Sequence, residues 1–162
     1  MHKLDDLDWQ IIKLLIEDGR LSSTDIARIL SDVSPRTVTN RIETLTKEGI
    51  ITIRSIVNPE KIDYCVLADV FIEVDPGKTQ AVASRLNEFP QISYIALAFG
   101  DIDIIISVRA KQIEELYDFV IETVGKIPGV RHTNTIPLPL NIKDDTTWLP
   151  PEVVEHTEKD TT

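Results

Sequence analysis

A single helix is predicted by the stretch Ser34-Pro-Arg-Thr-Val-Thr-Asn-Arg-Ile-Glu-Thr-Leu-Thr-Lys-Glu-Gly49. Ser34 is a favourable N-cap, and Pro35 suits the first helical position, where a backbone N–H has no partner to lose. Gly49 suits the residue that follows a helix. Two shorter helical patterns precede this stretch at the spacing of a helix-turn-helix, so we expect a trihelical unit in which it is the third helix.

The predicted helix has two chemically different faces. At about 100° per residue, the side chains of Val38, Ile42 and Leu45 cluster on one side and face the two preceding helices. The opposite face is polar and holds Arg36, Thr39, Asn40, Glu43 and Lys47, with Thr37 and Arg41 on the flanks. Arginine, asparagine and threonine can hydrogen-bond to guanine, adenine and phosphate edges, so this face predicts a helix that reads the major groove of DNA. Which side chains read bases and which hold phosphates stays open.

The segments on either side complete an N-terminal domain over residues 1–57. The first helical pattern is expected to bury Leu7, Ile11, Leu14 and Leu15, and the second Ile26, Ile29 and Leu30. Ser22-Ser-Thr-Asp25 resembles a capping box at the start of the second. Ile50–Val57 predicts a strand, which serves either as a small wing or as a hinge. Within it, Arg54 either reaches a phosphate or is a plain surface arginine.

Beyond Asn58-Pro59 the pattern changes, and after a linker over residues 58–64 it predicts a second domain over residues 65–142. Its strands are expected at Val66–Val74, Ile92–Phe99, Ile104–Val108 and Val130–Leu138, and its helices at Lys78–Glu88 and Ile113–Val124. Strand, helix, strand, strand, helix, strand is the ferredoxin-like order of an α+β fold. Four strands and two helices leave one sheet face uncovered, which predicts a dimer.

The charge of the chain is distributed unevenly. The net charge is −10, but residues 1–57 hold eight Lys/Arg against nine Asp/Glu, and residues 34–57 hold four basic residues against two acidic ones. Distant acidic groups are largely screened beyond about 8 Å, so a locally basic element can still bind phosphate. The affinity of one copy is expected to be modest, which favours an oligomer.

Several classes of protein are excluded by what the sequence lacks. No apolar run approaches the roughly 20 residues of a membrane span, and the first residues show no signal region, so we expect a cytoplasmic protein. Cys65 is expected in the core. No metal-ligand spacing and no cofactor motif are present, and His2, His132 and His156 share no catalytic motif. An enzyme is therefore not expected. The remaining rival is an amino-acid-sensing interaction protein without a DNA role.

With these elements in place, the chain resembles the leucine-responsive/asparagine regulator (Lrp/AsnC) family of bacteria and archaea over about residues 4–142. The residues that carry the resemblance in the N-terminal domain are Leu4-Asp-Asp-Leu-Asp8, Asp18-Gly-Arg20, Ser34-Pro35, Arg41-Ile42, Leu45, Glu48-Gly-Ile-Ile51 and, just after it, Asn58-Pro59. Those in the second domain are Gly100-Asp-Ile-Asp103 and Ile127-Pro-Gly-Val130. The resemblance implies a transcription regulator that binds pseudo-palindromic promoter sites on double-stranded DNA as a dimer, tetramer or octamer.

The resemblance also implies two sets of site residues. Those expected at DNA are Ser23, Ser34, Pro35, Arg36, Thr37, Thr39, Asn40, Arg41, Lys47 and Arg54. Family members bind effectors, usually free amino acids, between dimers; the residues expected there are Leu97, Phe99, Gly100, Asp101, Asp103, Thr133, Asn134 and Thr135. The alternative for the Gly100–Asp103 turn is that it uses glycine and aspartate only for geometry.

Two departures from the family pattern, and the C-terminal end, complete the sequence reading. Ile102 stands where many members have an aromatic residue, which leaves the effector's identity open, and Ser31–Ser34 lacks the usual glycine of the turn. Residues 143–162 hold two lysines and six acids and predict a flexible tail. In it, Trp148 and Leu149 either pack on a neighbour or belong to a segment that only keeps the protein soluble.

Overall fold

The computed structural model describes residues 3–140, 142, 150, 151 and 153. Their contacts divide the chain into two compact units. The first holds the described residues up to Ile56 together with Pro150, Pro151 and Val153, and the second runs from Val57 to Ile142. Each unit has its own hydrophobic core.

The first unit is a trihelical domain. Its helices are α1 (Asp6–Glu17), α2 (Ser23–Leu30) and α3 (Pro35–Lys47). The core contains Ile11, Ile26, Ala27 and Val38, with Leu7, Leu14, Leu15, Leu30 and Ile42 among the partly buried residues packed against it. The periodicity of the apolar residues therefore placed all three helices correctly.

Polar caps explain where these helices begin. The Asp5 carboxylate accepts from the Asp8 backbone N–H at 3.0 Å, and the Asp8 carboxylate accepts from the Asp5 N–H at 3.1 Å, so α1 starts with a reciprocal capping box. The Ser22 and Ser34 hydroxyls cap α2 and α3 in the same sense. Between α2 and α3, Ser31 adopts a φ of 65°, a strained conformation for a residue with a Cβ. This is the turn from which the usual glycine is missing.

Two predictions in this unit were wrong. Ile29 is 54% exposed and Ala27 is buried instead, because the two residues flank the Ile26 stripe on opposite sides and periodicity does not say which flank is covered. Residues 50–57, all described, form no strand. A strand is stable only when it pairs with another, and this segment leaves Ile53, Ile56 and Val57 more than half exposed.

The second unit is an antiparallel sheet with helices on one face. After a 3₁₀ turn at Pro59–Ile62, the elements are β1 (Val66–Val74), α4 (Thr79–Leu86), β2 (Ile92–Leu97), β3 (Ile104–Ala110), α5 (Ile113–Asp118) and β4 (Val130–Pro137). The strand order is β2-β3-β1-β4 and every neighbouring pair is antiparallel. This order is that of two interlocked βαβ halves, so the predicted ferredoxin-like α+β fold is confirmed.

The limits of several elements differ from prediction. The helix α4 is shorter at both ends than the predicted Lys78–Glu88, and β3 continues to Ala110 instead of ending at Val108. The helix expected over Ile113–Val124 continues beyond α5 as a π-helical turn, Phe119–Thr123, and a 3₁₀ turn, Val124–Lys126. The strand β2 stops at Leu97, two residues early. Cys65, predicted to be in the core, lies just before β1 and is exposed, because it precedes the first residue that the sheet covers.

The two faces of the sheet have different surroundings. Residues at alternate positions of β1 and β3, including Val70, Ile72, Ile104 and Ile106, are fully buried in the core beneath the helices. The intervening positions form the other face, which we call the open face; it carries Phe71, Ile105, Tyr94 and Ile136, with Asp69 and Ser107 hydrogen-bonded to each other at 2.7 Å.

The predicted tail, residues 143–162, lies outside the described residues except for Pro150, Pro151 and Val153. Trp148 and Leu149 are among those not described. Val153 is buried, and the flexible tail stays a prediction.

Candidate DNA-binding surface and ligand site

The outward face of α3 is polar and accessible. Arg36, Thr39, Asn40 and Lys47 are exposed, whereas Val38 and Leu45 on the opposite side have no exposed surface. The structure therefore brings four of the residues expected at DNA onto one surface. Because no side-chain hydrogen bond or ion pair is assigned to Asn40, its amide presents both donors and its acceptor to solvent.

Three hydroxyl side chains expected at DNA, including that of Thr39, also serve the helix itself. The Ser34 hydroxyl accepts from the Thr37 backbone N–H at 3.1 Å and lies 2.8 Å from the Thr37 hydroxyl. The Thr39 hydroxyl donates to the carbonyl of Pro35 at 3.0 Å, which leaves its oxygen able to accept only. These groups fix the start of α3 and are less available to DNA than Arg36 or Asn40.

Arg41 departs from the predicted surface. Its Nη1 lies 3.1 and 3.2 Å from the two carboxylate oxygens of Asp8 and 2.8 Å from Oδ2 of Asp5. Asp8 is fully buried, and the Arg41 side chain is 30% exposed. The guanidinium that the sequence pattern assigned to the flank of the reading face therefore points to the start of α1.

This arrangement shifts the pKa values of Asp5 and Arg41. The Asp8 backbone N–H holds the pKa of the Asp5 carboxyl below its ordinary value, and Arg41 acts in the same direction. Partial burial disfavours the charged form of Arg41, but the carboxylates of Asp8 and Asp5 outweigh it and raise the pKa of the guanidinium. All three groups are held in an ionic contact rather than left free to solvent.

The remaining residues expected at DNA lie apart from the centre of α3. Ser23 is the first residue of α2 and is half-buried. Pro35 is exposed at the first position of α3. Arg54 is exposed within the irregular segment after α3, so its reach toward a phosphate stays a prediction.

The Gly100–Asp103 turn contains two aspartates with different roles. Asp101 is exposed, whereas the Asp103 carboxylate accepts from the Val74 backbone N–H at 2.7 Å and ties the turn to the end of β1. Gly100 adopts a φ of 122°, which a residue with a side chain rarely reaches. Asp101 is thus the carboxylate of this turn that faces solvent, and Asp103 holds the turn in place.

The apolar residues before the turn are exposed. The Phe99 side chain is fully accessible, and Leu97 at the end of β2 is 53% exposed. Exposed apolar side chains that lie together often mark a surface for binding or assembly. Leu97 and Phe99 lie four and two residues before the exposed Asp101, so apolar and anionic residues follow one another closely at this end of the sheet.

The three polar residues expected from β4 do not share one face. Thr133 pairs with Ile72 and Thr135 with Val70, so both threonines lie on the helix side of the sheet. Asn134 pairs with Phe71 and lies on the open face. Asp103 bonds to the backbone of Ile72 from the other side of β1, so Thr133 and the turn lie at the same end of the sheet, roughly 10 Å apart across β1.

Sequence reasoning missed an apolar groove on the helix side of β4. It has a volume of about 290 Å³ and is lined by Ile113, Leu116, Tyr117, Val120, Ile121, Thr135 and Pro137. The signal that could have found it is the spacing of Ile113, Tyr117 and Ile121, which are four residues apart and all exposed. Thr135, a polar residue of the predicted ligand set, therefore lines this groove.

The described residues contain neither a membrane-spanning helix nor a metal-binding cluster. None of the helices described here is long and apolar enough to cross a membrane. Within the same part of the chain, no cluster of three or more His, Cys, Asp or Glu side chains could hold a metal ion.

Comparison with protein families matches both units. A family described as the Lrp/AsnC ligand binding domain matches residues 67–148. A family described as winged helix-turn-helix DNA-binding matches residues 4–52. Together the two matches cover most of the chain.

Comparison with individual proteins gives the same result. The HTH-type transcriptional regulator FL11 of Pyrococcus furiosus is 37% identical over 148 residues, which cover 91% of this chain and 96% of that protein. Two solved structures share the fold. Escherichia coli AsnC superposes with a TM-score of 0.84 at 24% identity, over 90% of this chain and 98% of that one. The regulator NMB0573 of Neisseria meningitidis, solved as a complex with L-Met, has a TM-score of 0.85 at 19% identity, over 93% and 99%.

Proposed function

Because the chain belongs to the Lrp/AsnC family of helix-turn-helix transcription regulators, we propose that it binds promoter DNA through the exposed face of α3 and that a small molecule on its second unit modulates this binding. The chain is a DNA-binding regulator and not an enzyme. We propose that it acts on promoter DNA in the cytoplasm.

The observation that carries the DNA-binding proposal is the exposed set of Arg36, Thr39, Asn40 and Lys47 on one side of α3. An asparagine amide can bond in bidentate fashion to adenine, and an arginine to guanine or to phosphate. An interaction protein without a DNA role is not favoured, because its family places this helix in a DNA-binding domain.

We propose a dimer formed through the open face of the sheet. Tyr94 is 56% and Ile136 44% exposed there, and they flank the partly buried Phe71 and Ile105. A second copy with the same face would cover these apolar side chains by a two-fold axis. Such a dimer presents two copies of α3 to a pseudo-palindromic site, with half-sites about one helical turn apart or a multiple of it. Assembly of dimers into tetramers or octamers is part of the same proposal.

We propose a free amino acid as the effector. The chain contains a ligand-binding domain of the family, and a structural neighbour was solved with L-Met. The exposed Asp101 carboxylate suits an ammonium group, and the adjoining Leu97 and Phe99 suit an apolar side chain. The Thr135 hydroxyl lies at the separate α5–β4 groove, so we expect it to come from another subunit when the site is complete.

The first prediction concerns DNA binding and its dependence on salt. Fluorescence anisotropy with a duplex from upstream of the protein's own gene is expected to show a steep loss of affinity from about 50 to about 200 mM salt, because phosphate contacts release counterions. Asn40→Ala is expected to weaken the specific duplex by about 1–3 kcal/mol per half-site, while the exposed amide variant Gln80→Ala on α4 leaves it unchanged. Absence of binding even at low salt would refute the DNA-binding proposal. Equal weakening on random DNA would make Asn40 a backbone contact.

The second prediction separates the two aspartates of the turn. In a thermal-shift screen of the twenty amino acids, a true effector at about 100 times its Kd is expected to stabilise the wild-type protein by about 2.7 kcal/mol. Asp101→Ala is expected to lose this stabilisation without lowering the stability of the free protein. Asp103→Ala is expected to destabilise the free protein by about 1–3 kcal/mol, because it leaves the Val74 N–H without its acceptor.

Sedimentation velocity is the control for this second experiment, since both variants are expected to remain dimers. A wild-type protein that responds to no amino acid would rule out the effector proposal. If ligand stabilises the Asp101→Ala variant as much as the wild type, the ligand binds somewhere other than this turn.

A further inference from the structure

Arg41 forms an ionic contact between α1 and α3 to which the proposed function assigns no role. One guanidinium nitrogen of Arg41 lies within 3.2 Å of both carboxylate oxygens of Asp8 and 2.8 Å from Asp5. The two aspartates are themselves locked together by the capping box at the start of α1. We call these three residues the Arg41 lock.

Burial makes the lock costly to open. Asp8 is the buried charged residue among those described, with no exposed surface, and a carboxylate in that position must keep a cationic or hydrogen-bonding partner. If Arg41 turned toward a DNA phosphate, it would withdraw its charge from the Asp8 carboxylate. The lock and a direct phosphate contact therefore compete for one guanidinium, and the burial of Asp8 favours the lock.

The lock fixes the rotation of α3 about its own axis. Asn40 precedes Arg41 directly and is exposed, so tethering Arg41 sets the direction in which Asn40 projects. Side-chain tips lie about 6 Å from a helix axis, so a rotation of about 10° moves them by about 1 Å. The donor–acceptor distance of a base-edge hydrogen bond can vary by only about 0.5 Å, which is half of that displacement. A small rotation would thus remove base contacts and leave phosphate contacts largely intact.

We propose that Arg41 is a positioning residue that sets the sequence specificity of DNA binding through Asp8 and Asp5, without touching DNA itself. The apolar core of α1, α2 and α3 holds the helices together, and the lock selects one rotation of α3 among those that the core allows. This inference rests on α3 being the reading helix, as proposed above.

The test compares specific and random duplexes over a series of salt concentrations. The primary variant is Asp8→Asn, which has the same shape, still caps α1 and removes the buried one of the two charges that hold Arg41. The matched control is Asp6→Asn, which removes the same charge from an exposed residue in the same turn of α1. The second variant is Arg41→Lys, which keeps the charge on a side chain that is one atom shorter and so does not reach the position of Nη1.

We expect Asp8→Asn to weaken the specific duplex by about tenfold (about 1.4 kcal/mol) with random DNA unchanged. The slope of log affinity against log salt should stay that of the wild type, because no phosphate contact is lost. Arg41→Lys should lose specificity in the same way. The double variant should bind the specific duplex no more weakly than the single variant with the lower affinity, since both changes break the same contact. Asp6→Asn should keep the wild-type ratio of specific to random affinity.

The opposite pattern would overturn the proposal. If Arg41 contacts a phosphate, Asp8→Asn frees it and strengthens or preserves binding, while Arg41→Gln lowers the salt slope by about 0.9. Unfolding of both Asp8→Asn and Arg41→Lys at the assay temperature, seen by circular dichroism, would also overturn it, because the lock would then hold the unit together rather than orient α3. A wild-type protein that does not distinguish the two duplexes would instead refute α3 as the reading helix and, with it, the premise of the lock.

Discussion

Ile11→Ala is expected to abolish DNA binding at physiological temperature, although Ile11 lies in α1 and has no exposed surface. The substitution removes three methyl or methylene groups from the core that α1, α2 and α3 share, which typically costs about 2–5 kcal/mol. A unit of this size has a free energy of unfolding of only about 3–8 kcal/mol, at about 0.05–0.15 kcal/mol per residue. One core substitution is therefore enough to populate the unfolded unit.

The measurement is urea unfolding followed by circular dichroism, together with anisotropy of labelled DNA over a range of temperatures. The matched control is Ile29→Ala in α2, because Ile29 is 54% exposed and its loss is expected to change stability by no more than about 0.5 kcal/mol. Equal destabilisation by both variants would show that Ile29 is covered in the working protein. An unchanged midpoint for Ile11→Ala would contradict the trihelical core.

Gly129→Ala is expected to give the largest loss of stability in the second unit. Gly129 has a φ of 102°, and a Cβ there would lie 2.9 Å from the Cβ of Lys78 and 3.3 Å from Cγ2 of Val82. Lys78 is the N-cap of α4 and Val82 lies within it, so the clash can be relieved only by moving that helix. We expect a cost of about 1–2 kcal/mol for the backbone conformation and about 1–3 kcal/mol more for the overpacking.

Gly77→Ala provides the comparison for this prediction. Gly77 also has a positive φ, 80°, but a Cβ there would have no neighbour within 4 Å. It should therefore show the backbone cost alone, about 1–2 kcal/mol. The difference between the two variants in chemical denaturation isolates the contact with α4, and no difference would mean that α4 moves away without cost.

The order of elements was predictable from sequence because each had a local signal. The β1 strand runs over Val66–Val74 as predicted, since β-branched residues and turn residues delimit it on both sides. The helix α3 begins after Ser34, where a hydroxyl cap and a proline coincide. Signals of this kind lie within a few residues of each other, so no knowledge of tertiary packing is needed to read them.

The wrong strand and the unforeseen contact of Arg41 concern properties that depend on distant partners. Ile50–Val57 has the composition of a strand but finds no partner strand among the described residues, and composition does not report pairing. Arg41 lies on the flank of α3, and its orientation is set by Asp8, 33 residues earlier. Helical periodicity assigns a residue to a side of its helix, but not to a partner on another one.

The candidate ligand site shows the same limit on a smaller scale. Asp101 and Asp103 are equivalent in the sequence pattern, and only the bond to Val74 distinguishes the carboxylate that supports the turn from the one that faces solvent. The groove at Tyr117 and Thr135 lies between α5 and β4. A π-helical turn, which periodicity does not predict, separates these two elements in the sequence.

The alternation along β4 bears on how such a regulator can change over evolutionary time. Thr133 and Thr135 belong to the helix side of the sheet, while Asn134, between them, belongs to the side proposed for self-association. Mutations at odd and even positions of one strand therefore act on separate properties. After gene duplication, substitutions at Thr133 and Thr135 could change which small molecule one copy binds while both copies still form the same dimer. A substitution at Asn134 could instead stop the two copies from forming mixed dimers while each keeps its original ligand.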